Sequence, residues 1–230
     1  MVFGKIQNKL KKRSLMRKGK EFLKQGEYGK ALECDNEVLK LYPRDISGMR
    51  NKNITLEIMG RYEEASKCYL AVLELEPDSS KDWSFKGDAF NYLHKYENAL
   101  ECYENALNLD PKNFEAWNNK GVVLKKVGKY EEALKCFDQA LKYFPKLSGY
   151  WTNKGIALIE LKEYQKAIES LDKALELNSN DERAWYYKGI VFKTLEKDEE
   201  ALKCFDKALE IDPDYEDAKN AKKEILSSKS

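Results

Sequence analysis

A chain of 230 residues with 35% charged and 42% hydrophobic side chains suits a soluble repeat or globular protein, and no apolar run approaches the roughly 18 residues of a membrane span. The net charge of +1 hides an asymmetry: residues 1–24 hold nine Lys and Arg against Glu21 alone, a net of +8 that leaves −7 for the remainder. One histidine and five cysteines are a poor supply for metal or nucleophilic chemistry.

In chain order, residues 1–11 form a basic extension that is too polar for a secretory signal, so cytoplasmic residence is expected. A 34-residue period follows, plainest at Trp83, Trp117, Trp151 and Trp185. In register with it run Gly87, Gly121, Gly155 and Gly189, then Ala99, Ala133, Ala167 and Ala201. A large apolar column (Tyr103, Phe137, Leu171, Phe205) and a small one (Ala106, Ala140, Ala174, Ala208) agree, and Pro111, Pro145 and Pro213 close their repeats. Ser179 stands where the remaining proline would fall. The frame extends back through Leu15, Gly19, Phe22, Tyr28, Ala31 and Pro43, and through Met49, Asn53, Leu56, Tyr62, Ala65, Tyr69 and Pro77. Six repeats therefore span 12–45, 46–79, 80–113, 114–147, 148–181 and 182–215, followed by a capping helix and tail over 216–230.

Within one repeat, Phe114, Trp117, Gly121, Leu124 and Val127 recur at helical steps, and Gly128 ends that helix as a left-handed cap. Tyr130, Ala133, Phe137, Ala140 and Leu141 make the apolar face of a second helix, stopped by Pro145. Gly121 and Ala133 allow the two helices to approach closely, while Trp117 and Phe137 are expected at the junction with the neighbouring repeat. One hairpin cannot bury both faces, so stacking must complete the core. Tyr215, Ala218, Ala221, Ile225 and Leu226 continue an apolar face for the cap, with Ser228 to Ser230 as a frayed tail.

The columns from Trp83 to Pro213 resemble the tetratricopeptide repeat, and the frame covers 204 of 230 residues, 12 to 215. The resemblance implies an all-α fold, a right-handed α-solenoid of six helix-turn-helix units plus the capping helix, acting as a non-catalytic protein-interaction scaffold. In this family the first helix of each repeat lines a concave groove. That places Arg50, Asn51, Lys81, Ser84, Phe85, Asp88, Asn118, Asn119, Thr152, Asn153, Arg183, Tyr186 and Tyr187 on or near a peptide-binding surface. Asn51, Asn119 and Asn153 share one register; their amides both donate and accept, which suits the backbone of an extended peptide. Phe85, Tyr186 and Tyr187 would add apolar anchors. The family's carboxylate clamp for chaperone tails is disfavoured, because Ile54 and Phe85 stand at its asparagine places and Glu115 at its second lysine.

Cys34, Cys68, Cys102, Cys136 and Cys204 obey the period, with Ser170 in the missing place. Equivalent helices lie roughly 10 Å apart, too far for disulfides or a shared metal, so these read as packing residues and no metal or cofactor is expected. His94 replaces the turn glycine found at Gly60 and Gly128, a left-handed position that histidine tolerates. No phosphate-binding glycine loop and no nucleophile–base pairing stands out.

A further column, Lys18, Lys52, Lys86, Lys120, Lys154 and Lys188, precedes each landmark glycine; its stems are expected to pack while the ammoniums reach water, the alternative being an anion-binding stripe. Lys9, Lys11, Lys12, Arg13, Arg17, Lys18 and Lys20 form a basic head that could bind nucleic acid or an anionic membrane surface. Residues 196–217 hold ten acids and three lysines, so head-to-tail self-association is a third reading. Asn53 occupies the glycine column, which marks its repeat as the weakest joint.

Overall fold

The structure, a computed structural model, describes residues 2–228, with side chains over 6–227; Lys229 and Ser230 of the expected tail lie outside the described residues. Thirteen α-helices and no strand occur among the described residues, in two compact bodies, 1–111 and 112–230. The first holds α1 (Val2–Lys24), α2 (Tyr28–Leu41), α3 (Ile46–Ile58), α4 (Tyr62–Val72), α5 (Ser80–Tyr92) and α6 (Tyr96–Leu109). The second holds α7 (Phe114–Lys126), α8 (Tyr130–Tyr143), α9 (Ser148–Glu160), α10 (Tyr164–Leu177), α11 (Glu182–Thr194), α12 (Asp198–Ile211) and α13 (Glu216–Ser228). Odd and even helices pair as hairpins, and within each body every even helix also packs on the next odd one. The molecule is an all-α helical repeat solenoid. The basic extension is not a separate element, since α1 runs unbroken for 23 residues into the first repeat.

Each first helix ends in the same way. Gly26, Gly60, His94, Gly128, Lys162 and Glu196 all take positive φ, between 56° and 79°. At Gly128 the following amide, Lys129, reaches back to the Leu124 carbonyl at 2.9 Å, closing a Schellman cap that satisfies an orphan carbonyl. His94 adopts this conformation at φ 56°, and the same turn geometry holds Lys162 and Glu196 despite their side chains. Four first helices also start alike, for the Asp45, Ser79, Asn113 and Asp181 side chains accept from the amide three residues on, whereas Leu147 before α9 offers no such cap.

The glycine and large apolar columns meet inside each hairpin. A Cβ on Gly121 would sit 2.7 Å from Phe137 Cε1, and one on Gly189 would sit 2.6 Å from Phe205 Cε1. Phe137 fills the space that glycine leaves and is fully buried, and the equivalent Phe205 and Leu171 also share clusters with residues of the following helix, Ala218 and Ala184. Trp117 does lie at a junction, against Ala140, Leu141, Tyr150 and Trp151. The tryptophan and proline columns are linked by the backbone, for Trp151 Nε1 donates to the Pro145 carbonyl at 2.9 Å and Trp185 Nε1 to the Ser179 carbonyl at 3.0 Å. Serine can replace proline there because the carbonyl is the group used.

The lysine column clasps successive helices. Lys154 lies 5.4 Å from the Trp151 ring centre and 2.8 Å from Asp138 on α8; Lys188 lies 5.6 Å from Trp185 and 2.5 Å from Asp172 on α10. Lys222 repeats the acid contact with Asp206 in the cap, and Lys86 donates to the Leu75 carbonyl at 2.7 Å. The Lys86, Lys154 and Lys188 ammoniums are thus engaged by groups of the protein itself. Of the expected capping face, Ala218, Ala221 and Ile225 are buried while Leu226 points to solvent. The helical spacing explains the split: 218, 221 and 225 share one side of α13.

Asn53 is buried, and its amide donates to the Ala65 carbonyl at 3.1 Å, so the polar group in the glycine column is satisfied. Its hairpin partner α4 is shorter than the other second helices, 11 residues against 14 in α8. Native-state hydrogen exchange is expected to show lower protection in α3 and α4 than in α7 and α8; equal or greater protection would contradict the weak-joint reading.

Candidate functional site

First helices of successive repeats touch one another: α3 and α5 in the first body, and α7, α9, α11 and α13 in the second. Their shared face is where the groove residues should lie, and the two bodies treat it differently.

In the first body the face is largely closed by its own contacts. The Arg50 guanidinium donates to Asp82 at 2.9 Å, and Asp82 also accepts from the Ser47 and Ser79 hydroxyls at 3.0 Å and 2.8 Å. Arg50 thus ties α3 to α5. Phe85 is only 2% exposed, packed 5.1 Å from the Tyr69 ring in a core with Leu56 and Ala89, so it presents no anchor to a ligand. An aromatic ring gains more from this apolar environment than from water, whatever its register position. Asn51 is 7% exposed and also drops out of the proposed row. Ser84 is buried with its hydroxyl on the Ser80 carbonyl, Asp88 accepts from the Tyr103 hydroxyl at 2.7 Å, and Lys81 remains exposed.

In the second body the predicted residues form two groups, asparagines on α7 and α9 and tyrosines on α11. Asn153 Nδ2 on α9 donates to Asn118 Oδ1 on α7 at 3.0 Å, and Asn118 Nδ2 donates to Asn119 Oδ1 at 3.0 Å. Asn118 is consumed by this chain and largely buried, whereas Asn119 and Asn153 are half-buried. Thr152 is buried and bonds Asp181 at 2.9 Å, which removes it from the surface. Tyr186 meets Tyr187 edge-on at 5.1 Å and Tyr215 at 5.1 Å, with Phe205 beneath at 6.0 Å. Burial, followed by the Asp217 charge, raises the Tyr186 phenol above its ordinary range, so this hydroxyl is neutral at physiological pH.

Sequence reasoning missed two members. Tyr215, read only as part of the cap, joins the tyrosine cluster because the turn before α13 brings it to Tyr186. Lys125 on α7 is half-buried, and burial first, then the Arg183 charge on α11, holds its pKa below the ordinary lysine range, with Glu160 on α9 opposing them. Spacing could have suggested it, since Lys125 follows Asn118 by seven residues on one helical face. Arg183 itself is exposed. A cleft of about 470 Å³ lined by Leu134, Trp151, Lys154 and Ser170 lies elsewhere, against second helices, and its Lys154 is already held by Asp138.

The predicted basic patch does not hold together. Lys12 pairs with Asp45 and lies 5.3 Å from the Tyr42 ring. Lys11 and Lys18 lie on the side of α1 that senses Glu37 and Cys34 of α2. Lys9 is exposed, and Arg13, Arg17 and Lys20 are exposed on another side. The five cysteines are free and buried, and desolvation pushes Cys102, Cys136 and Cys204 up to about 11, so they pack as neutral thiols. Among the described residues no helix is long and apolar enough to cross a membrane, and no three metal-ligating side chains stand together.

These stacked hairpins define a helical repeat protein. Sequence profiles described as Tetratricopeptide repeat match residues 55–79, 114–147, 149–181 and 182–215, and one described as TPR repeat matches 87–128. The chain belongs to the tetratricopeptide repeat family. Among curated proteins no sequence match was found. Among solved structures, a chain of the APC/C hetero-tetramer Cut9–Hcn1 superposes with TM-score 0.79 at 20% identity; 96% of this chain is covered but only 46% of that one. PilF of Pseudomonas aeruginosa gives 0.71 at 15% identity, covering 95% and 99%. YrrB, titled a TPR protein with an unusual peptide-binding site, gives 0.58 at 23% identity, covering 84% and 99%. At these identities the likeness is one of fold.

Proposed function

We propose that the protein is a non-catalytic interaction scaffold whose second body holds an extended segment of a protein partner on its first-helix face. The repeat family and the peptide-binding description of YrrB support a scaffold; the residues argue for the rest. Asn119 and Asn153 would bond the segment's backbone, as amides do without reading side chains. The Tyr186, Tyr187 and Tyr215 cluster would take an apolar side chain. The observation that supports the reading is that the Arg183 charge on α11, after burial, lowers the pKa of Lys125 on α7, with the tyrosine pair also on α11. A carboxylate near both would relieve their repulsion and raise the lysine's pKa, so the favoured segment carries an acidic residue or chain terminus near an apolar one.

Peptide-display selection on the wild-type protein tests this. Selected peptides are expected to carry that acidic and apolar pairing, and to lose about tenfold to a hundredfold in affinity for an Asn153→Ala, Tyr186→Ala variant with unchanged circular dichroism. Charge reversal by Arg183→Glu should select against the acid. Peptides that bind wild type and variants equally would remove the site.

A further inference from the structure

On α1 the exposed residues Ile6, Leu10, Arg13, Arg17, Lys20 and Lys24 follow one another at steps of three and four. On an α-helix these positions fall within an arc of about 80° and run for about 27 Å. Two aliphatic side chains at one end, Ile6 at 54% exposure and Leu10 at 59%, thus continue directly into four cations. Glu21 is the only acid in α1. Among the described residues no carboxylate pairs with Arg13, Arg17, Lys20 or Lys24, whereas Lys12 is held by Asp45 and in α2 Lys30 and Lys40 are held by Glu27 and Glu37. Lys24 was absent from the basic patch read in the sequence, and Lys11, Lys12 and Lys18 do not belong to the stripe.

We infer that this stripe of α1 docks the protein on an anionic lipid bilayer, with Ile6 and Leu10 entering the headgroup boundary and Arg13, Arg17, Lys20 and Lys24 lying on lipid phosphates and carboxylates. The occupant follows from the order of residues. Four unpaired cations along one line require an anionic surface that is extended over the length of the helix. The two aliphatic side chains on that same line gain free energy only where an apolar phase lies beneath the charges, as it does in a bilayer. A phosphodiester backbone offers them nothing, and the stripe has no aromatic ring on which a base could stack. The attachment is peripheral and salt-sensitive, since each cation acts within a Debye length of the membrane surface. It is independent of the peptide face on α7, α9 and α11, so either reading can fail alone.

Flotation of the full chain with phosphatidylcholine vesicles, with and without phosphatidylserine, tests the inference at low and physiological salt. Binding is expected only with phosphatidylserine and is expected to weaken as salt rises. Reversing the stripe by Arg13→Glu, Arg17→Glu, Lys20→Glu and Lys24→Glu should lower vesicle binding by at least about a hundredfold, given the known gain per basic residue near such a surface. Reversing the off-stripe Lys11 and Lys18 should cost far less. Replacement of Ile6→Ser with Leu10→Ser should weaken vesicle binding while leaving binding to a labelled oligonucleotide unchanged. All these positions are exposed, and circular dichroism verifies the fold of each variant. Absence of binding to phosphatidylserine at low salt would overturn the inference, as would equal loss from the on-stripe and off-stripe reversals. An oligonucleotide bound more tightly than vesicles would assign the stripe to nucleic acid. Sedimentation without vesicles reads the last occupant: a dimer that disappears in the stripe reversal would assign it to a second copy of the chain.

Discussion

Truncation of Phe137 to alanine is expected to lower the unfolding free energy of the second body by about 3–5 kcal/mol, the usual cost of emptying a buried aromatic site. The ring is fully buried and rests on Gly121, so little solvent or flexible side chain is at hand to fill the hole. Gly121→Ala is expected to cost about 1–3 kcal/mol for the opposite reason, since its methyl would stand 2.7 Å from Phe137 Cε1. The two changes should not add. Once Phe137 is gone, the added methyl has room, and alanine in place of glycine favours a helix interior by about 0.5–1 kcal/mol. Urea denaturation of the four proteins of this double-mutant cycle measures the coupling. In the Phe137→Ala background, Gly121→Ala should be neutral or stabilising; a cost equal to that in the wild-type background would show that the glycine and aromatic columns are not steric partners.

The second large effect concerns Asp35 in α2. It is 2% exposed, and desolvation pushes its pKa up to about 6, against a hydrogen bond from Thr55 at 3.2 Å and the charge of Lys52, which pull it down. Because the folded pKa lies above the ordinary carboxylate value, folding favours the protonated acid. Its contribution is therefore fully present below about pH 4, declines as pH rises through about 6, and is absent above that. Asp35→Asn keeps the acceptor for Thr55 and removes the charge. The variant is expected to match or fall slightly below wild type at pH 4 and to exceed it by about 2–3 kcal/mol at pH 8, from a shift of roughly two pKa units. Subtracting variant from wild-type denaturation curves across this range isolates the residue from other carboxylates. A difference that does not vary with pH would mean that Asp35 is solvated in the folded protein.

Why so much of the architecture was legible follows from repetition. Each column is a packing requirement met repeatedly: a cap residue at the turn, glycine beneath a ring, an indole on a backbone carbonyl. Local chemistry suffices to read these, because they act within one hairpin or between adjacent ones. Reading individual residues off the columns was less secure. Phe85 shares its register with Asn119 and Tyr187, yet Tyr69 draws it into the core. Bulk at Phe137 does not by itself say that a glycine lies under the ring, which the hairpin geometry supplies.

Periodicity in the amino-acid sequence by itself determined the thirteen helices' order, the hairpin frame and the family, because a 3.6-residue turn fixes which side chains share a face. Only the tertiary structure decided which of those faces is covered. It let the Arg183 charge on α11 act on Lys125 of α7, placed Tyr215 beside Tyr186, engaged Lys154 and Lys188 with acids of the preceding helix, and, among the described residues, gave Arg13, Arg17, Lys20 and Lys24 of α1 no carboxylate partner. Those outcomes depend on groups far apart in the chain, whose meeting is set by how the hairpins stack and not by the spacing along any one helix.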